Sequence, residues 1–124
     1  MSLRDEIERD CPNLGQEIVK VRLWKNRKVL IRAMTGAERI EMHRRIGPRQ
    51  AEMDDATLEQ WQRRICAAAI ITCVHDPESR EKAFSWDDLD WIMEQPIVLL
   101  DELSGRAFDL SGIGADAVEN AEKN

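Results

Sequence analysis

The residues in this chain best suited to chemistry are two histidines, three cysteines and a short run of aspartates. Nucleophilic catalysis needs an activated side chain with a base in reach. His43 stands beside Arg44 and Arg45 and reads as a solvated surface residue. His75 closes a long apolar run and reads as a partner for the negative end of a helix. Neither lies in a G-x-S-x-G or comparable context. Cys66 and Cys73 share a helix face but lie about 10 Å apart at the usual rise per residue. That is too far for one zinc ion, whose sulfur ligands sit at about 2.3 Å, so both read as small buried hydrophobes. Asp87, Asp88 and Asp90 lack the glycine and terminal Glu of a calcium loop. The glycines fall singly at turns, and no phosphate-cradling loop is present. The expectation is no enzyme, with no catalytic residue, metal ligand or cofactor.

One cationic constellation keeps three readings open. Lys20, Arg22, Lys28 and Arg32 interleave with Trp24. Such a face suits a platform on which nucleic acid bases stack, the solvated side of a two-stranded sheet, or a surface that docks on the acidic part of a neighbouring copy. Trp86 and Trp91 form a second aromatic pair. They read either as core or as anchors for a client protein, since aromatics dominate interface hot spots.

The elements that must position these residues follow from periodicity. Val19, Val21 and Leu23 alternate with Lys20, Arg22 and Trp24, and Val29, Ile31 and Ala33 alternate with Lys28, Leu30 and Arg32, which predicts two strands. For both apolar sets to share a face, odd positions must oppose odd positions. A loop of Lys25-Asn26-Arg27 satisfies this by setting Leu23 opposite Val29 and Val21 opposite Ile31. Thr35-Gly36-Ala37-Glu38 is a capping box that starts a helix through Ile46, ended by Gly47-Pro48. Asp54 and Asp55 open the next helix. It is apolar all round from Ile65 to Val74, as a central buried helix is, and His75-Asp76-Pro77 stops it. Ser85 with Asp88 caps another helix, whose buried stripe is Leu89, Ile92 and Met93. Pro96 suits the first turn of the last helix, whose buried side is Ile97, Leu100, Leu103 and Ala107. Ser111-Gly112-Ile113-Gly114 breaks it.

The fold class is therefore mainly α: an N-terminal β-hairpin followed by a small bundle of about four helices. Residues 1–16 read as an N-terminal arm, 17–112 as a single domain and 113–124 as a polar tail. With 124 residues, one modest core is affordable. The longest uncharged run, Ile65 to Val74, is about half of a membrane span, and Met1 to Glu6 carries no signal-peptide stretch. Three widely spaced cysteines do not read as a disulfide framework. The cytoplasm is the expected compartment and no membrane partner is expected. The net charge of −6 hides an asymmetry. From Lys20 to Arg49, ten basic residues face two acidic ones, a balance of +8. From Gln50 onward, 6 basic residues face 17 acidic ones, a balance of −11. Such polarity matters for association, and the acidic total argues against nucleic acid as first choice.

The order of parts resembles a known family. A basic hairpin runs into "MTGAER", followed by "ICAAAIITCVHDP", "FSWDDLDWIMEQP", "IVLLDELSGRAFDLSG" and "AVENAEKN". From Glu17 to Asn124 the sequence resembles the tail assembly chaperones of long-tailed bacteriophages and related prophages. The resemblance implies a non-catalytic protein of the host bacterial cytoplasm, absent from the mature virion. It implies a coat that holds the tape measure protein soluble until the tail tube polymerises, with the tail tube protein as a further partner. Members of the family are largely helical, and they self-associate into spirals or rings. On this reading Lys20, Arg22, Trp24 and Arg32 serve self-association, and Trp86 and Trp91 hold the client. Complementary charge blocks imply a head-to-tail homo-oligomer that weakens with salt. Many members occur in two lengths through a ribosomal frameshift. Glu122-Lys123-Asn124 can be encoded by the slippery A-AAA-AAC, so a frameshift there is a hypothesis that the gene sequence tests; an AAG codon for Lys123 ends it. The alternatives are a small nucleic-acid-binding regulator using the hairpin and an enzyme subunit completed by a partner.

Overall fold

The computed structural model describes residues 2–11 and 15–113. Ser2 opens helix α1, Leu3–Asp10, by accepting the Asp5 amide on its hydroxyl. None of its residues is buried. Strands β1, Gln16–Val21, and β2, Arg27–Arg32, then pair antiparallel with Val19 opposite Val29 and Glu17 opposite Ile31. The expected odd-to-odd parity holds, but the expected register does not: Val21 faces Arg27 rather than Ile31. The reason lies in the turn. Arg22–Trp24 wind into a 3-10 turn, and Lys25 and Asn26 take left-handed backbone at φ 55° and 59°. Five residues thus make the connection, and Leu23 leaves the strand to stand half-exposed. Gly15, at φ 67°, lies so close that an added Cβ meets the Ala33 Cβ at 3.0 Å.

The capping box forms as expected. Thr35 Oγ1 accepts the Glu38 amide at 3.1 Å and Glu38 Oε1 accepts the Thr35 amide at 2.9 Å, opening α2, Gly36–Ile46. Asp54 caps α3, Asp55–Cys73, whose inner half from Ala67 to Cys73 is wholly buried. The helix ends before His75. Val74–His75 form a short strand β3 that pairs with β2, so the sheet order is β1-β2-β3. Sequence periodicity does not reveal this strand, because tertiary pairing makes it. Ser85 then opens a 3-10 turn, Trp86–Asp88, that runs into α4, Leu89–Met93. Pro96 precedes α5, Ile97–Leu110, which buries Leu99, Leu100, Leu103, Ser104, Ala107 and Phe108. Ile97, expected inside, is exposed at the opening turn. Mainly α with a hairpin near its N-terminus is thus the observed class.

One face of the sheet, Val19, Val21, Val29 and Ile31, packs with α3, α4 and α5 into a single cluster, and Ile113 joins it. Arg63 and Asp101 tie α3 to α5, Lys82 and Glu38 tie the loop after β3 to α2, and Arg106 and Glu17 tie α5 to β1. Pairs this exposed contribute at most about 1 kcal/mol each, so the apolar cluster carries the fold. The expected frameshift site and the polar tail beyond Ile113 lie outside the described residues.

Candidate interaction surface

Trp24 is where the two charge blocks meet. The 3-10 turn of the hairpin points its indole at the end of α4, where Nε1 donates to Oε1 of Gln95, two residues past the helix, at 3.4 Å. Its ring stacks on Trp91 with centroids 6.4 Å apart, and both contact Phe84, at 6.0 and 5.7 Å. Residues expected to serve self-association and client binding therefore form one aromatic cluster. Trp91 remains half-exposed. Tilted and offset rings of this kind contribute about 0.5–1.5 kcal/mol per pair beyond their burial.

Around the cluster lies an open groove of about 520 Å³, lined by Leu23, Trp24, Lys25, Arg27, Val29, Phe84 and Trp91 among others. Lys28, His75 and Asp76 complete its polar wall. Its volume falls in the range of ordinary binding clefts. Lys25, Arg27 and Lys28 are exposed, and no ion pair reaches them among the described residues. Lys20 stands directly across from Lys28, a like-charge pairing that lowers sheet stability. Asp76 is the counter-charge in the wall. Its carboxylate accepts the amides of Glu78 and Ser79, which with Arg27 nearby hold it below the usual carboxylate range.

The other expected site residues lie elsewhere. Arg22 is exposed on the turn, and Arg32 ends β2, about 16 Å along the strand from Arg27. Trp86 packs against the core, with the Arg45 guanidinium 5.0 Å over its ring. Thus Trp24 and Trp91 come together, while Arg32 and Trp86 do not join them. Phe84, Lys25 and Arg27 were not singled out in the sequence. Phe84 carried a signal, because an apolar residue before an N-cap serine packs back on its helix.

Thiol and imidazole chemistry is muted. Burial and the Glu38 charge push the Cys73 thiol up to about 11. Burial also holds His75 below its usual value, against its Nδ1–H bond to Cys73 O at 2.8 Å, while Arg32 and Lys82 push the same way as burial. Among the described residues no group of three His, Cys, Asp or Glu side chains is placed to hold a metal, and no helix is long and apolar enough to cross a membrane.

No protein-family profile and no curated protein sequence matches the chain. A solved structure does. The tail assembly chaperone of bacteriophage HK97 matches 88% of this chain and 98% of its own with a TM-score of 0.65, at 18% sequence identity. This chain has the fold of that tail assembly chaperone. On this fold the aromatic groove sits at the tip of the hairpin, and α4 reaches it through Trp91. Glu94 directly precedes Gln95, the hydrogen-bond partner of Trp24.

Proposed function

We propose that the chain is a phage tail assembly chaperone, a non-catalytic protein that acts by reversible contacts with other proteins. The observation that carries this reading is the fold match, which extends over nearly all of the HK97 chaperone. The groove supports it, because aromatic rings flanked by exposed cations suit a helical segment laid in by its apolar face. The client is the tape measure protein, held soluble in the host bacterial cytoplasm while the tail is assembled. Trp24 and Trp91 anchor its apolar side chains, and Lys25, Arg27 and Lys28 select acidic flanks. The chain self-associates through complementary charge.

Co-expression with the tape measure protein of the same tail gene cluster tests the reading. A soluble complex that forms with the chaperone and is lost with Trp91→Ala supports it. A client that stays equally insoluble with and without the chain overturns it. Turnover of a substrate by the purified chain overturns the non-catalytic part.

A further inference from the structure

A second concavity abuts the aromatic groove. It lies between the first turns of α3 and the start of α5, about 370 Å³ in volume, and Met93 and Gln95 close it at the end of α4. Ala56, Glu59, Gln60 and Arg63 line it at helical spacing, so they present one face of α3. Ile97 and Leu100 supply the apolar wall opposite, and Ile97 stands half-exposed. Gln95 is the partition between this cleft and the groove. Its Oε1 accepts the Trp24 indole N–H and its Nε2 donates to Trp91 O, both at 3.4 Å. The same residue lines the cleft.

The two compartments differ in charge. Exposed Lys25, Arg27 and Lys28 line the groove, with Asp76 as counter-charge. In the cleft Glu59 is exposed, and no ion pair reaches it among the described residues. The cation there, Arg63, is already engaged by Asp101, and Glu94, between Met93 and Gln95, is exposed. A molecule that fills both compartments meets cations at one end and carboxylates at the other.

We infer that groove and cleft form one docking track, whose occupant is a client segment with a divided polar face. That segment is an amphipathic helix, acidic where it passes the hairpin tip and basic where it enters the cleft. Its apolar stripe runs past Gln95 from Trp91 to Ile97. The inference rests on the groove being the client's seat, as proposed above, and adds the extent of that seat and the charge order of the segment. From Ala56 to Arg63 the face of α3 runs about 10 Å, which adds about two helical turns to the footprint. Complementary charge contributes more to specificity than to raw affinity. The track therefore selects among amphipathic helices by the order of their charges rather than by their sum.

Two synthetic peptides of about 20 residues, which span about 30 Å as helices, test this on the full chain. Both carry the same leucine stripe and equal numbers of glutamate and lysine. In one the glutamates fill the first half and the lysines the second; in the other the charges alternate. Calorimetric titration at about 0.05 M salt is expected to show the divided peptide binding at least about tenfold tighter, with the difference shrinking at about 0.5 M. Glu59→Lys reverses the cleft charge, leaves the groove, and is expected to erase that preference. Ile97→Ala trims the apolar wall and is expected to weaken both peptides alike, by about five- to tenfold. Both positions are exposed, so thermal unfolding of each variant matches the parent chain. Equal binding of the two peptides by the parent, binding of neither, or a preference that survives Glu59→Lys overturns the inference. If Trp91→Ala loses the soluble tape measure complex while Glu59→Lys and Ile97→Ala bind both peptides as the parent does, the track ends at Gln95 and the chaperone reading stands.

Discussion

The inner half of α3 and the tip of the hairpin follow opposite rules. From Ala67 to Cys73 every residue is buried, and the one hydroxyl there, on Thr72, donates to Ala68 O at 2.8 Å. Three consecutive alanines let α5 approach closely. At the tip, two lysines oppose each other, two non-glycine residues take left-handed backbone, and a tryptophan stands half in solvent. The like-charge pair and the left-handed backbone each lower stability by an amount of order 1 kcal/mol. Features that a stable fold does without concentrate where a partner can make use of them. The contrast separates the part of the chain that holds the shape from the part that uses it.

That separation can be broken by measurement. Leu103→Ala, at a fully buried position of α5, is expected to lower unfolding stability by about 2–5 kcal/mol. Urea unfolding reads this directly, and a loss under about 1 kcal/mol would remove the core from its role. Trp91→Ala is expected to cost only about 1 kcal/mol of stability while weakening partner binding at least about tenfold. A stability loss as large as that of Leu103→Ala would place the groove in the core and end the contrast.

The sign of the His75 effect is set by its depressed pKa. Above its ordinary 6.5 the imidazole is neutral in both folded and unfolded chains. Below that value the unfolded chain takes up a proton that the folded chain resists, so stability falls as pH drops through 6.5 toward the lower folded value. His75→Gln is expected to flatten unfolding stability between about pH 7.5 and 5.5; an unchanged slope assigns it to another group. Smallest is Lys28→Glu, which converts the repulsion with Lys20 into attraction. It is expected to raise stability by about 0.2–1 kcal/mol while weakening association. Opposite signs in the two measurements sharpen the contrast, and a loss of both blurs it.

Local signals were legible in the sequence. The Thr35–Glu38 box, the Asp54 cap and the helix after Pro96 all stand as residue types at fixed spacing, because caps act within one turn. Parity of the hairpin was legible for the same reason, since alternation records which face is inside. Its register was not, because whether Arg22-Leu23-Trp24 continue a strand or wind into a turn depends on Trp24 reaching Gln95, 71 positions away. Strand β3 is two residues made by a neighbour. The groove was half legible. Trp24, Lys28 and Trp91 were singled out as residue types, but their meeting is a contact between two charge blocks that no local pattern contains. Ile97 shows the reverse error: apolar and in phase with its helix, it lines an open cleft beside the first turns of α3 and stays half-exposed.

Among the described residues, the sheet order leaves the outer edge of β1 without a strand beside it. Such an edge is a template for backbone pairing between molecules. Here it is six residues long, carries Lys20 in its second half, and has Glu17 held by Arg106 of α5 at 3.0 Å. Those charges act as gatekeepers against fibril-like addition. Contacts with other molecules are thereby steered to dissociable side-chain contacts rather than the near-permanent ladder an unguarded strand invites.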